Sequence, residues 1–303
     1  MSLPLIGIIG GTGLAELFAD QGGERIEVNT PFGAPSEPLL RTEWNGCEVV
    51  FVNRHGPGHR FAPSAVPYRA NVFALKSLGV TRILASGATG SLREDFAPGD
   101  LVICDQVIDK TYRRRGSFFD DDLAVHVELA DPFCPQLRAH MIAAGDGVEA
   151  TIHPQGTYVC MEGPQFSTRA ESHMHRAWGA DLVGMTCMPE AKLAREAEMC
   201  YALVAFPTDY DCWRPRPEVT PPEADADRPH DLLAEIRANL KRAAAHGTEL
   251  LAATVQRLAE AGDEDCSCRR ALEFAIWTDP ASMDATRIDL LRPLLGDRLA
   301  SRS

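Results

Sequence analysis

Short apolar runs alternate along the chain with longer stretches whose apolar residues recur at helical spacing, and glycine- or proline-rich clusters separate the two. That alternation predicts strands joined by helices. Residues 5–9 are an apolar run that breaks into Gly10-Gly11-Thr12-Gly13, and residues 14–18 then begin a helical pattern. Residues 49–52 read as a strand leading into Asn53-Arg54-His55-Gly56-Pro57-Gly58-His59. Residues 68–78 read as an amphipathic helix with Ala70, Val72, Phe73, Ala74, Leu75 and Leu78 on its apolar side. A strand at 82–85 opens into a loop of mostly small residues, Ser86-Gly87-Ala88-Thr89-Gly90-Ser91-Leu92, and residues 100–108 form a β-branched strand.

The pattern is densest over residues 156–213, where three apolar runs each end in a polar or aromatic cluster with helical spacing between them. Parallel strands would set those clusters side by side at their carboxyl ends, where α/β sheets bind ligands. The clusters are Phe166-Ser167-Thr168, Met185-Thr186 and Asp209-Tyr210-Asp211. An aromatic face, a hydroxyl and two carboxylates suit a heterocyclic base and an anion. Residues 214–229 are an acidic, proline-rich loop, and 231–261 form one long or two short helices with Gly247 as the kink. The expectation is a single α/β domain over 1–303, a central mixed β-sheet flanked by helices, with a helical C-terminal region at 231–303.

Composition narrows the function. Of 303 residues, 45% are hydrophobic and 24% charged, enough for a sizeable core. A net charge of −13 offers no basic stripe for nucleic acid or an anionic membrane, so an anionic substrate must be held by local donors. The apolar runs are far shorter than the ~20 residues of a membrane span, and Met-Ser-Leu-Pro shows no signal-peptide pattern. The nine cysteines contain no Cys-x-x-Cys, so free thiols in a reducing cytoplasm are expected, without a zinc site or disulfide framework. Cys266-Ser267-Cys268 stands out without a role. His55 and His59 share a Gly/Pro loop, and His173 and His175 lie two apart on a helix, so neither pair predicts a metal. Arg113-Arg114-Arg115 reads as a solvated face.

Gly10–Gly13 puts a glycine turn between a strand and a helix start, a geometry that accepts a phosphate-sized anion, although Glu16 replaces the third glycine of a dinucleotide fingerprint. Arg54, His55 and His59 make a second anion clamp.

Taken in order, Gly-Gly-Thr-Gly (10–13), Asn-Arg-His-Gly (53–56), Gly-Ser-Leu-Arg-Glu (90–94), Pro-Gly-Asp (98–100), Ala-Asp-Pro-Phe-Cys (130–134), Glu-Gly-Pro-Gln-Phe-Ser (162–167), Met-Thr-x-x-Pro-Glu (185–190) and Thr-Asp-Tyr-Asp-Cys-Trp (208–213) make the chain similar to one family. It resembles the trimeric purine nucleoside phosphorylases, and more narrowly their methylthioadenosine branch, over roughly residues 4–245. The resemblance implies a nucleoside phosphorylase fold, phosphorolysis of a purine nucleoside, no metal or organic cofactor, and a homotrimer with sites at subunit interfaces. It implies phosphate between Thr12, Arg54, His55, Ser86, Gly87, Ala88 and Thr186, with Phe166, Ser167 and Met185 on base and ribose. By the same resemblance, Asp209 serves purine N7 and Asp211 accepts from a 6-amino group. A carboxylate only accepts, so it suits an aminopurine. Members that act on 6-oxopurines carry Asn at the Asp209 position and Glu at the Ser167 position. Leu232 and a partner subunit's equivalent of His126 would line the 5′-substituent pocket. Gly87 departs from the Thr of methylthioadenosine members. Adenosine, inosine and methylthioinosine remain alternative substrates, and a dinucleotide-dependent oxidoreductase or a non-catalytic binder are rivals from other classes.

Overall fold

The computed structural model describes residues 3–11, 13–120, 123–214 and 228–296, without the side chains of 228–235 and 280. In chain order the elements are β1 (Ile6–Gly10), α1 (Leu14–Ala19), β2 (Glu24–Ile26), β3 (Leu39–Trp44), β4 (Cys47–Asn53), α2 (Tyr68–Ser77), β5 (Arg82–Ser91), β6 (Leu101–Ile103) and β7 (Gln106–Lys110). There follow α3 (Pro135–Ala144), β8 (Ile152–His153), β9 (Thr157–Met161), α4 (Arg169–Ala177), β10 (Leu182–Gly184), α5 (Cys187–Glu196), β11 (Cys200–Asp209), α6 (Arg228–Ala261), α7 (Ala285–Leu290) and α8 (Arg292–Leu295). The strands form one mixed sheet in the order β2-β3-β4-β1-β5-β10-β9-β7, with β11, β6 and β8 branching from β5.

Central strands are apolar on both faces because both faces are covered. Ile83 and Ala85 of β5 join Leu203 and Ala205 of β11 in a core that also takes in α2 and α5. Their sequence neighbours Leu84, Ala202 and Val204 face the opposite way, into a core completed by α1, α3 and α6.

The layout around β5 makes the site. Strand β11 runs parallel along one edge from Arg82 to Gly90. The other edge is shared. β1 pairs in parallel with Arg82–Ala85, and β10 pairs antiparallel with Gly90 and Ser91. The carboxyl ends of β1 and β10 therefore point at each other across a gap spanning residues 86–89 of β5.

This arrangement corrects several expectations. β9 and β10 are parallel, but β11 runs opposite to β10, so the three clusters of 156–213 do not line one edge of a parallel sheet. They meet because two strands stop short of each other. Residues 86–91 are not a loop but the second half of β5. Small side chains alone do not end a strand when β11 supplies its hydrogen bonds. Residues 100–108 are two strands, interrupted at Cys104 and Asp105, because β6 pairs with β11 and β7 with β9. Helix α6 is continuous through Gly247. A Cβ there would lie 2.3 Å from the Phe206 ring, so the glycine admits an aromatic side chain and makes no kink. Beyond α6 the described residues form short helical pieces, two of them α7 and α8, and Ile276 makes an isolated bridge to Val125. Most of the expected loop at 214–229 lies outside the described residues. Among the described residues, no helix is long and apolar enough to cross a membrane.

Candidate active site

A cavity of about 260 Å³ occupies the gap on β5. Its wall includes Arg54, His55, Ser86, Gly87, Ala88, Phe166, Ser167, Met185, Thr186, Asp209 and Asp211. Of the remaining sequence candidates, Thr12 and the side chain of Leu232 lie outside the described residues. His126 does not line this cavity: its ring packs edge-on against Trp277, in a separate hollow with Glu128, Arg195, Arg270 and Phe274.

Arg54 follows the end of β4, and its backbone N–H donates to Gly10 at the end of β1, at 2.8 Å. The side chain is 1% exposed. Its Nε donates to Glu190 Oε1 at 2.5 Å, one terminal nitrogen to Glu190 Oε2 at 3.0 Å, and the other to the Ser86 carbonyl at 2.9 Å. Tyr201 Oη adds a third donor to Glu190, at 2.9 Å. Burial works against the guanidinium charge, but the Glu190 carboxylate outweighs it and raises the Arg54 pKa. The terminal nitrogens keep donors for a ligand. Gly11 permits that approach, since a Cβ would come within 3.3 Å of an Arg54 terminal nitrogen and 3.5 Å of His55 Cδ2.

His55 Nδ1 sits 2.8 Å from the Phe61 carbonyl. A carbonyl only accepts, so Nδ1 carries the proton and Nε2 is the acceptor. Burial first, and then the Arg54 charge, push the imidazole down to about 4, so it is neutral at physiological pH. Thr186 precedes α5 and is nearly buried. A Cβ on Gly87 would lie 3.3 Å from its hydroxyl, so the glycine leaves that hydroxyl open to the cavity.

The carboxylates stand further along β5. The pairing of β11 with β5 slips a register between Pro207 and Asp209. Asp209 accepts from the Asp211 backbone N–H at 2.8 Å and from the Thr208 hydroxyl at 2.9 Å. Asp211 adopts φ 43°, a left-handed backbone uncommon outside glycine. Its Oδ2 is buried without a hydrogen-bond partner. A buried acceptor left unpaired is costly, which points to a donor supplied from the cavity. Gly90 allows the approach: a Cβ would lie 3.1 Å from that of Asp211. Phe166, at the mouth, is 67% exposed, and the Ser167 hydroxyl donates to Met161 Sδ at 3.6 Å.

Sequence reasoning missed the support beneath the site. Arg114, read as solvated, has a side chain only 2% exposed. Its guanidinium donates to the carbonyls of Met185 and Met188 at 2.6 Å each, to the Glu162 carbonyl at 2.6 Å, to Glu162 Oε1 at 3.2 Å and to Tyr68 Oη at 3.2 Å. Burial opposes the Glu162 charge, yet the Ser64 hydroxyl, the amides of Tyr112 and Arg113, and Arg114 hold it at about 2. Arg115 is exposed, as expected of the run. Nothing in a row of three arginines tells which one turns inward. Thr89, whose buried Oγ1 has no partner, and Ile236 also line the cavity. Ile236 falls in an apolar pattern legible in the sequence, with Leu232, Leu233 and Leu240 at helical spacing.

The Phosphorylase superfamily profile matches residues 5–256. The chain is 44% identical over 291 residues to S-methyl-5′-thioadenosine phosphorylase of Geobacter sulfurreducens, covering 95% of this chain and 97% of that one. It is 50% identical over 215 residues to the Pyrococcus horikoshii protein of the same name, covering 71% and 82%. Among solved structures, a methylthioadenosine phosphorylase from an antarctic soil metagenomic library superposes with a TM-score of 0.84 at 41% identity, covering 97% of this chain and all of that one. The Schistosoma mansoni methylthioadenosine phosphorylase in complex with adenine gives 0.76 at 37% identity, covering 86% and 93%. With the profile spanning most of the chain and the Geobacter relative covering nearly all of it, the chain belongs to the phosphorylase superfamily and, within it, to the methylthioadenosine phosphorylases.

Proposed function

We propose that the chain catalyses phosphorolysis of S-methyl-5′-thioadenosine to adenine and 5-methylthioribose 1-phosphate, with inorganic phosphate as co-substrate and no metal or organic cofactor in the reaction. The observation that carries this reading is the spacing of polar groups along β5. Arg54 and Thr186 stand over Ser86 and Gly87, and the two carboxylates stand over Gly90. Three residues of strand separate the groups by about 10 Å, room for a ribose between an anion and a base.

In this reading phosphate takes the Arg54 donors, the Thr186 hydroxyl and those amides of residues 86–88 that face away from β11, while neutral His55 Nε2 accepts from a phosphate hydroxyl. A phosphate oxygen forms the bond to C1′ as the bond to purine N9 breaks, and the electron pair stays on the base. Asp209, in its protonated form, supplies the hydrogen bond or proton at N7 and is left as the carboxylate, while ionised Asp211 Oδ2 accepts from the 6-amino group. Positioning the anion beside an oxocarbenium-like ribose gives electrostatic stabilisation where charge develops. Met185 runs along the ribose, Phe166 closes over the purine, and Ile236, one helical turn beyond Leu232, gives the 5′-methylthio group an apolar wall. The enzyme works in the cytoplasm as a homotrimer, with the surface around His126, Phe274 and Trp277 facing a neighbour. Phe274 and Trp277 are 86% and 71% exposed in the single chain, which supports that assignment.

The test is incubation with methylthioadenosine with and without phosphate, following adenine by chromatography. Adenine only with phosphate is expected. No adenine overturns the proposal, and equal release without phosphate makes the protein a hydrolase.

A further inference from the structure

We propose that Cys134, Cys200, Cys266 and Cys268 form a tetrathiolate site for a structural zinc ion. Their four sulfurs all lie within 4.8 Å of one another, and Cys134 Sγ stands 3.6 Å from Cys266 Sγ. Zinc bound tetrahedrally by thiolates at about 2.3 Å sets sulfurs about 3.8 Å apart, inside that range. The four form a compact group rather than two bonded pairs, and each is a free thiol. An all-sulfur donor set selects a soft or borderline cation over calcium or magnesium.

Spacing along the chain marks only the Cys266-Ser267-Cys268 pair, because the four ligands come from three distant segments. Cys134 caps the first turn of α3 and accepts from the Leu137 N–H at 3.4 Å. Cys200 opens β11. Cys266 and Cys268 flank Ser267 in the turn that follows α6. One ion would tie the end of α6 to the central sheet, at the end of β11 opposite Asp209.

Binding releases the thiol protons and leaves a net negative centre, and arginines stand near it, with Arg269 and Arg270 paired to Asp263 and Asp265. Arg269 follows Cys268, is fixed by Asp263, and keeps a buried Nε without a partner. Arg195 shares a hollow with Ser267, between the last two ligands. These groups serve as the outer shell that sulfur-ligated metals require.

The test uses the full-length protein, purified without chelator from zinc-supplemented cells. Elemental analysis should give one zinc per chain. A mercurial that caps thiols should release it to a chromogenic chelator. Cobalt added to metal-stripped protein should give the visible bands of a tetrahedral tetrathiolate. Cys268→Ser should lose the metal and several degrees of Tm, and Cys47→Ser, a buried thiol outside the group, should keep both. The cobalt spectrum is read on the unmutated chain, so misfolding of a variant cannot decide the result. Metal-free protein with all nine thiols titratable after denaturation and no cobalt bands would overturn the proposal. So would fewer than nine thiols before reduction, which would mean disulfides.

Discussion

Replacing Glu190 with Gln tests the support under Arg54 most directly. The two side chains are 1% and 2% exposed, so water neither screens the pair nor reaches a stranded charge. Glu190 accepts three hydrogen bonds, two from Arg54 and one from Tyr201. Gln keeps one oxygen acceptor, but its amide nitrogen then faces donors. Leaving one member of a buried pair unmatched costs about 3–5 kcal/mol. For a chain of this size, at about 2 °C per kcal/mol, that is a fall in Tm of roughly 6–10 °C. The assay is urea and thermal unfolding of Glu190→Gln, Arg54→Met and the double variant. Each single change should be severe, and the double should cost at least 2 kcal/mol less than the sum, because it strands no charge. Simple additivity, or a loss below about 1 kcal/mol in Glu190→Gln, would refute the account of Arg54 as a charge held in place by its partner.

Two buried groups set opposing pH dependences. His55 sits at about 4, below its ordinary 6.5, so stability is lost as pH falls from 6.5 toward 4. Glu196, raised to about 7 chiefly by burial, weakens the fold as pH rises from 4.5 to 7. The advantage of Glu196→Gln over the parent should therefore grow by about 3 kcal/mol between pH 4 and pH 8, read from urea midpoints. Gly11→Val should fill the space beside Arg54 and His55, lowering kcat/KM for phosphate at least about ten-fold with little change in Tm, as steady-state kinetics and calorimetry will show. Gly247→Ala would normally stabilise a helix by about 1 kcal/mol. Here its Cβ meets Phe206 at 2.3 Å, and a net loss of about 1–3 kcal/mol in urea unfolding is expected.

The elements with strong local pattern were legible from the residues alone. Strand β4, helix α2 and the apolar stripe of α6 follow from periodicity, and α4 begins with a capping box in which Thr168 and Glu171 satisfy each other. The residues that meet in the cavity could be listed because glycine-rich and polar clusters follow strands. How they meet could not, since strand direction depends on pairing between distant segments. Residues 86–91 lack the bulk that marks a strand, and only β11 makes them one. Arg114 and Glu190 were hidden for a related reason. A buried charge looks like a surface charge until its partner, 48 or more residues away, is placed. The meeting of Cys266 and Cys268 with Cys134 and Cys200 was hidden in the same way.

The gap on β5 constrains how this cavity can change. Its length is the shortfall between two abutting strand ends, so it is counted in whole residues of backbone. An insertion that extended β1 or β10 would occupy the cavity with main chain, and a deletion would unpair a central strand. New preferences are therefore most accessible through side chains on the walls and at the mouth, where Phe166 and Ile236 can vary while every strand keeps its length.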